Sequence, residues 1–164
     1  MNEKRLGELA ARIRLLMLDV DGVLTDGGLY YLEEGGFAVR FDIKDGLGLA
    51  RAVREGILVA LVSGRDTPQA RRRAEELGIL EIHLGARDKV AVLEDILSRT
   101  GLGAEEACFV GDDLIDLPAM RRVGLPVAVA DAVEEVREVA VHVTVRAGGR
   151  GAVREVVELL LSHR

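Results

Sequence analysis

The sequence predicts a doubly wound α/β fold, a parallel sheet with helices on both faces. Three observations carry that prediction. Short aliphatic runs alternate with longer segments of helical periodicity. Glycines stand where helical segments give way to the next strand, at Gly56, Gly78 and Gly101. Polar residues collect where the aliphatic runs end, first in "LLMLDVDGVLTDGG" (15–28), where Asp19, Asp21 and Asp26 follow a run with no polar residue in it.

In chain order, the aliphatic runs predict strands at 15–20, 57–63, 81–84, 107–111, 126–130 and 141–145. The amphipathic segments between and after them predict helices at 45–55, 67–77, 88–99, 115–123, 132–138 and 150–162. The leading "MNEKRLGELAARIR" is charged, helical in pattern and lacks an apolar secretory core. One segment breaks the rhythm: "GGLYYLEEGGFAVRF" (27–41) reads as a β-hairpin inserted after the first strand, turning at "EEGG". It holds Tyr30, Tyr31, Phe37 and Phe41, four of the five aromatic residues. A two-stranded ribbon is marginal in water and an exposed apolar face marks an interaction surface. The hairpin is therefore expected to pack against other subunits rather than fold back on its own domain.

The chain of 164 residues suits a single domain, 1–164, with a full core, aliphatic because only 3% of residues are aromatic. A net charge of −6 excludes a general attraction to nucleic acid or an anionic membrane surface. No apolar run reaches the roughly 18 residues of a membrane span, and the single cysteine, Cys108 in "ACFVG", reads as core. A cytoplasmic location is expected.

In doubly wound sheets, ligands bind at the carboxyl ends of the strands. Four such places carry polar groups: Asp19 and Asp21 after the first strand, Ser63-Gly64-Arg65 after the second, Lys89 opening the helix after the third, and Gly111-Asp112-Asp113 with Asp116 after the fourth. Each alone is a turn, a cap or a solvated charge. Together, in this order, they describe one site.

These motifs resemble a known family. "DVDGVLTDG", "VSGR", the lysine of "RDK" and "GDDLID" are similar to the four motifs of the haloacid-dehalogenase-type phosphohydrolases. "FDIKDGLGL", "GDDLIDLPAM", "VGLPVAVADA" and "AGGRGAVREVVELLL" resemble one branch, the 3-deoxy-D-manno-octulosonate 8-phosphate (KDO 8-phosphate) phosphatases. The resemblance implies that Asp19 is the nucleophile and forms an aspartyl-phosphate. It implies Mg²⁺, because a carboxylate approaching a phosphate dianion needs intervening positive charge. The side chains of Asp19 and Asp112 and the carbonyl of Asp21 are the expected ligands. Asp21 is the expected general acid and then base; Ser63, Gly64 and Lys89 are expected to hold the phosphoryl group. Asp113 and Asp116 are expected to hold the metal's water shell or orient Lys89, with helix capping as the alternative.

Arg65 suits a substrate carboxylate. In "ARRRAEE" (70–76), mostly a solvated helix face, Arg73 is the one candidate for substrate contact. Lys44 and Asp45 fall near the expected substrate mouth, with Asp45 alternatively an N-cap, and Arg150 is a candidate for the same mouth. His83 reads as structural. Leu84 and Leu117 depart from the family pattern, where glutamine and tryptophan are common. "AGGRGAVRE" imitates a dinucleotide loop, but position 154 is arginine and the G-x-G-x-x-G spacing fails; its glycines are expected to let the tail bend tightly.

The chain has no insertion large enough for a cap domain, so either the site stays open to large substrates or a neighbouring subunit closes it, and the aromatic hairpin fits the second. Members of the branch resemble tetramers built on their hairpins, which implies a homotetramer through residues 27–41. Three rival readings share parts of this pattern. A receiver domain would carry its phospho-acceptor at the third strand, where "EIHLGA" has no aspartate. A silent oligomerisation domain would not keep the whole acidic set. Action on another sugar acid phosphate, such as a nonulosonate 9-phosphate, is the alternative within the enzyme class. The branch implies a place in lipopolysaccharide precursor synthesis.

Overall fold

The run Leu15–Leu18 is buried at every position. A strand with no solvent face belongs between two others, with layers above and below it. The computed structural model, which describes residues 3–164, puts it there. The chain begins with α1 (Glu3–Ala10), β1 (Leu15–Leu18), a ribbon of β2 (Tyr30–Tyr31) and β3 (Phe37–Ala38), and α2 (Ile43–Arg54). It continues through β4 (Leu58–Ser63), α3 (Pro68–Glu76), β5 (Glu81–Leu84), α4 (Lys89–Thr100) and β6 (Ala107–Gly111). The last third holds α5 (Leu117–Met120), β7 (Leu125–Ala128), α6 (Glu134–Val139), β8 (His142–Val143) and α7 (Ala152–Leu161).

Six strands form one parallel sheet in the order β5-β4-β1-β6-β7-β8. Leaving out the ribbon, this is the doubly wound order in which the chain builds to one side of β1 and then crosses to the other. The reversal opens a crevice at the carboxyl end of β1, between β4 and β6. Leu18 lies level with Leu61 and Val110, so the residues that follow all three strands emerge into that crevice. The core around the sheet is aliphatic, with Phe109 its one fully buried aromatic among the described residues, and Cys108 lies fully buried in it, its thiol pushed far up by burial.

Local chemistry explains where elements start and stop. Asp42, Thr67 and Asp88 cap α2, α3 and α4 with their side chains. β1 ends at Leu18 rather than at 20 because the carbonyl of Val20 accepts the N–H groups of Leu24 and Thr25, at 2.9 and 3.0 Å, in a tight turn. The helix expected over 115–123 divides into a single 3₁₀ turn, Leu114–Asp116, and the short α5, whose first turn contains Pro118. The edge strand β8 is only two residues long. Ribbon pairing is likewise brief, Tyr30 with Ala38 and Tyr31 with Phe37.

Asp45 needs a correction: the cap of α2 is Asp42, three residues earlier. Asp45 instead caps α7, whose own cap position is Gly151 and supplies no side chain. Its carboxylate accepts the N–H of Gly151 at 3.1 Å and of Arg154 at 2.7 Å, tying the two helices together.

Candidate active site

Asp19 continues the ladder one step past β1, its N–H on the carbonyl of Val110 at 3.1 Å, so its side chain enters the crevice at a fixed point. Its Oδ1 accepts the N–H of Val20 at 2.7 Å and lies 3.0 Å from Lys89 Nζ. Lys89, the first residue of α4, is only 4% exposed and also reaches Asp116 Oδ1 at 2.6 Å. Asp116 Oδ2 accepts the N–H groups of Asp112 and Asp113, at 3.0 and 3.4 Å. Asp116 therefore uses one oxygen to aim the lysine and the other to pin the turn after β6. Asp113 is exposed and caps that turn, accepting from the N–H of Leu114 at 2.6 Å.

The electrostatics follow from crowding. Burial first, then repulsion from Asp116, raises the Asp19 carboxyl to about 6 despite the lysine beside it. Burial, then the charges of Asp19, Asp116 and Asp113, pushes Asp112 to about 8. Burial opposes the Lys89 ammonium, but Asp19 and Asp116 outweigh it and hold its pKa above the ordinary lysine value. One ammonium does not balance three carboxylates.

Oxygens of Asp19, Asp112 and Asp116 lie within 4.8 Å of one another. Asp116 already serves Lys89 and two backbone N–H groups. Asp112 Oδ1, by contrast, is buried with no hydrogen-bond partner among the described residues. A hard divalent cation, which prefers carboxylate oxygens, fits this donor set, with Asp19 and Asp112 as the carboxylates that have oxygens to give.

Asp21 stands apart from that cluster and accepts from Arg65 Nη1 at 3.1 Å. Ser63 ends β4, and its Oγ accepts the N–H of Arg65 at 3.0 Å. The Arg65 guanidinium lies over the Phe37 ring, 5.0 Å from its centre, and Gln69 Nε2 donates to the Phe37 carbonyl at 2.9 Å, so the turn end of the ribbon folds back on its own domain here while Tyr30 and Tyr31 stay exposed. A pocket of about 170 Å³ is lined by Asp19, Asp21, Ser63, Gly64, Arg65, Asp112 and Asp113, all singled out from the sequence. Ile115, 60% exposed at its rim, was not.

Other candidates lie elsewhere. Arg73 faces a separate cavity of about 350 Å³, donates to the Asp42 carbonyl at 3.3 Å and lies over the Phe41 ring. Lys44 lines another cavity with Arg146 and Arg154, and Asp45 is buried against α7. Arg150 pairs with Asp26 at 3.1 Å, on the loop that leaves β1. His83 pairs with Glu81 at 2.8 Å, the structural role expected of it. Leu84 lies beside Ser63 in the sheet.

Two further residues with a part in the site were missed. Gly22 has φ of +87°, and a Cβ on it would stand 2.0 Å from Asp112 Oδ2, so only glycine fits. Thr25, 1% exposed, accepts the N–H groups of Gly22 and Gly27 at 3.3 and 3.2 Å and so braces the loop. Glycine directly after Asp-x-Asp was the available signal for the first; the second had none.

A parallel sheet with a carboxylate pair after its central strand, a serine, a lysine and a second acidic pair at neighbouring strand ends defines a haloacid dehalogenase-like hydrolase. A family model of that description matches residues 75–156. The chain is 45% identical over 152 residues to the 3-deoxy-D-manno-octulosonate 8-phosphate phosphatase of Escherichia coli strain K12, covering 93% of this chain and 81% of that one. It superposes with a TM-score of 0.96 on the crystal structure of such a phosphatase from Moraxella catarrhalis in complex with magnesium, phosphate and KDO. Identity there is 38%, over 99% of this chain and 94% of that one. The cobalt-bound Haemophilus influenzae phosphatase superposes with a TM-score of 0.90 at 40% identity, over 94% of this chain and 91% of that one. The chain belongs to the 3-deoxy-D-manno-octulosonate 8-phosphate phosphatase family.

Proposed function

We propose that the protein is a Mg²⁺-dependent phosphomonoesterase that hydrolyses KDO 8-phosphate to KDO and inorganic phosphate, in lipopolysaccharide precursor synthesis. The observation that carries the reading is the buried Asp19–Lys89–Asp116 array beside Asp112, whose Oδ1 lacks a hydrogen-bond partner among the described residues. A carboxylate of Asp19 attacks phosphorus, the bond from phosphorus to the sugar oxygen breaks, and Asp21 gives its proton to the leaving oxygen. Asp21 then takes a proton from water as that water attacks the aspartyl-phosphate, which frees Asp19 and phosphate. Magnesium, held by Asp19, Asp112 and the main-chain carbonyl of Asp21, supplies the positive charge the attack requires.

The remaining roles follow from the contacts. Ser63 Oγ accepts from Arg65, which leaves its hydroxyl hydrogen for a phosphoryl oxygen. Lys89 lends charge to that group, and Asp116 positions Lys89. Arg65 exchanges its bond to Asp21 for the carboxylate of the sugar acid, a bidentate match. Asp113 acts as a cap, and Arg150 holds the loop after β1 through Asp26. Asp45 and Arg73, outside the pocket, serve the fold of the subunit, and the exposed Lys44 also lies outside it.

The whole chain acts as a single domain, and the ribbon (27–41) joins four copies into a homotetramer. Supporting this are Tyr30, Tyr31 and Leu32, exposed by 55, 79 and 55%. Sedimentation should give four times the subunit mass, and a fully active monomer would remove the assembly. No described helix is long and apolar enough to cross a membrane, and the proposed site of action is the cytoplasm. A phosphate-release panel over sugar acid phosphates, with and without Mg²⁺, tests the substrate. KDO 8-phosphate should be hydrolysed best; an aryl phosphate or a nonulosonate 9-phosphate hydrolysed equally well would overturn it.

A further inference from the structure

The motif "AGGRG" (147–151) has no part in the chemistry above, yet it packs against the loop that carries the nucleophile. The N–H of Gly149 donates to the Val23 carbonyl at 2.9 Å, and Arg150 pairs with Asp26 at 3.1 Å. Arg40, at the root of the ribbon, donates to the Gly149 carbonyl at 2.6 Å. The closest approach is at Gly148, where a Cβ would stand 1.7 Å from the carbonyl oxygen of Gly22. On its other side Gly22 meets Asp112, since a Cβ at Gly22 would stand 2.0 Å from Asp112 Oδ2.

These contacts close into a ring. The carbonyl of Asp112 accepts the N–H of Val133 at 2.9 Å, and Asp131, two residues before Val133, accepts the N–H of Gly148 at 2.8 Å. Gly148, Gly22, Asp112 and the segment 131–133 thus hold one another, and the contact from Gly148 to Gly22 is backbone against backbone, with no flexible side chain to give way. We propose that Gly148 is a positioning residue for the metal site. It fixes the Gly22 peptide, and through it the spacing between the Asp19–Asp21 segment and Asp112. Mg²⁺ tolerates little departure from its oxygen distances of about 2.0–2.1 Å, so a displaced Gly22 weakens metal binding before it unfolds the chain. The inference rests on Asp19 and Asp112 as metal ligands.

The test is Mn²⁺ binding followed by electron paramagnetic resonance at 25 °C, with Mg²⁺ as competitor, on the parent, Gly148→Ala and Asp112→Asn. The parent should bind one Mn²⁺ per subunit and Asp112→Asn should lose it. Gly148→Ala, folded by circular dichroism, should bind at least tenfold more weakly. A merely structural glycine would lower the melting temperature and leave the affinity of the folded protein alone, so a folded Gly148→Ala within twofold of the parent overturns the proposal. If Gly148→Ala does not fold, the double variant Arg40→Gln/Arg150→Gln, which removes tethers and adds no bulk, decides. Threefold or greater weakening supports the proposal and unchanged affinity overturns it. A parent that binds no Mn²⁺, or an Asp112→Asn variant that binds as the parent does, overturns the metal assignment itself and the inference with it.

Discussion

Asp116→Asn separates positioning from metal binding. The carboxylate is fully buried, holds Lys89 Nζ at 2.6 Å through one oxygen and the N–H groups of Asp112 and Asp113 through the other. Asparagine keeps the shape but only one acceptor. Whichever way the amide turns, its NH₂ faces a donor, either the lysine or the two backbone N–H groups. Loss of a charge-assisted bond in a buried site costs about 1.5–3 kcal/mol. For a chain of this length that lowers the melting temperature by roughly 4–10 °C. Lys89, left with Asp19 as its one carboxylate partner at 3.0 Å, moves towards it and dulls the nucleophile. The expected fall in kcat is about tenfold, or about 1.4 kcal/mol in the barrier, with KM little changed. Calorimetry and steady-state phosphate release measure both. A melting temperature within about 1 °C of the parent, or an unchanged kcat, would refute the claim that Asp116 spends its oxygens on Lys89 and the turn after β6.

Asp19→Asn should abolish turnover while assembly and melting temperature hold, read by phosphate release and sedimentation; a measurable steady rate would refute the nucleophile. Arg65→Ala should raise KM for a carboxylate-bearing substrate by roughly tenfold to a hundredfold, the weight of a charged hydrogen bond, and leave that for a substrate without the carboxylate alone. Asp45→Ala should leave kcat/KM within about twofold while unsatisfied N–H groups at the start of α7 cost about 2–4 kcal/mol by urea denaturation; a large KM effect would return Asp45 to the substrate mouth. Burial first, partly offset by the bonds from Arg154 and Gly151, raises the Asp45 carboxyl above its ordinary value of 3.8. A raised value means the folded state holds this proton more tightly than the unfolded chain. The stability of the parent relative to Asp45→Asn should therefore be greatest below about pH 4 and decline as pH rises through the folded-state pKa; an increase over that window would contradict the burial argument.

Much of this was legible in the sequence because a parallel sheet writes itself plainly. Runs such as 15–18 and 107–111 are apolar at every position because both faces are covered, and the polar residues that interrupt them mark the strand ends where ligands bind. Asp19, Asp21, Ser63, Arg65, Lys89 and Asp112 could be read off that boundary, and the structure gathers them. What could not be read were contacts between segments far apart in the chain. Nothing local to "KDG" says that Asp45 caps a helix starting at residue 152, and nothing in "AGGRG" says that its glycines are small because Gly22 lies against them. Arg73 lies over Phe41 and donates to the Asp42 carbonyl, away from the pocket, a placement that its composition does not show. The helix expected over 115–123 failed for a related reason: Asp116 bends back to the N–H groups before it, a bond that periodicity does not record.

The central claim is that Asp19 and Asp112 share one Mg²⁺ while Asp116 stays on Lys89. A crystal structure of the protein soaked in Mg²⁺ and inorganic phosphate tests it most directly. A single ion touching the carboxylates of Asp19 and Asp112, with the Lys89–Asp116 pair intact, is the expected result; an ion ligated by Asp116 with the lysine released, or Asp19 and Asp112 unbridged at saturating Mg²⁺, would contradict it.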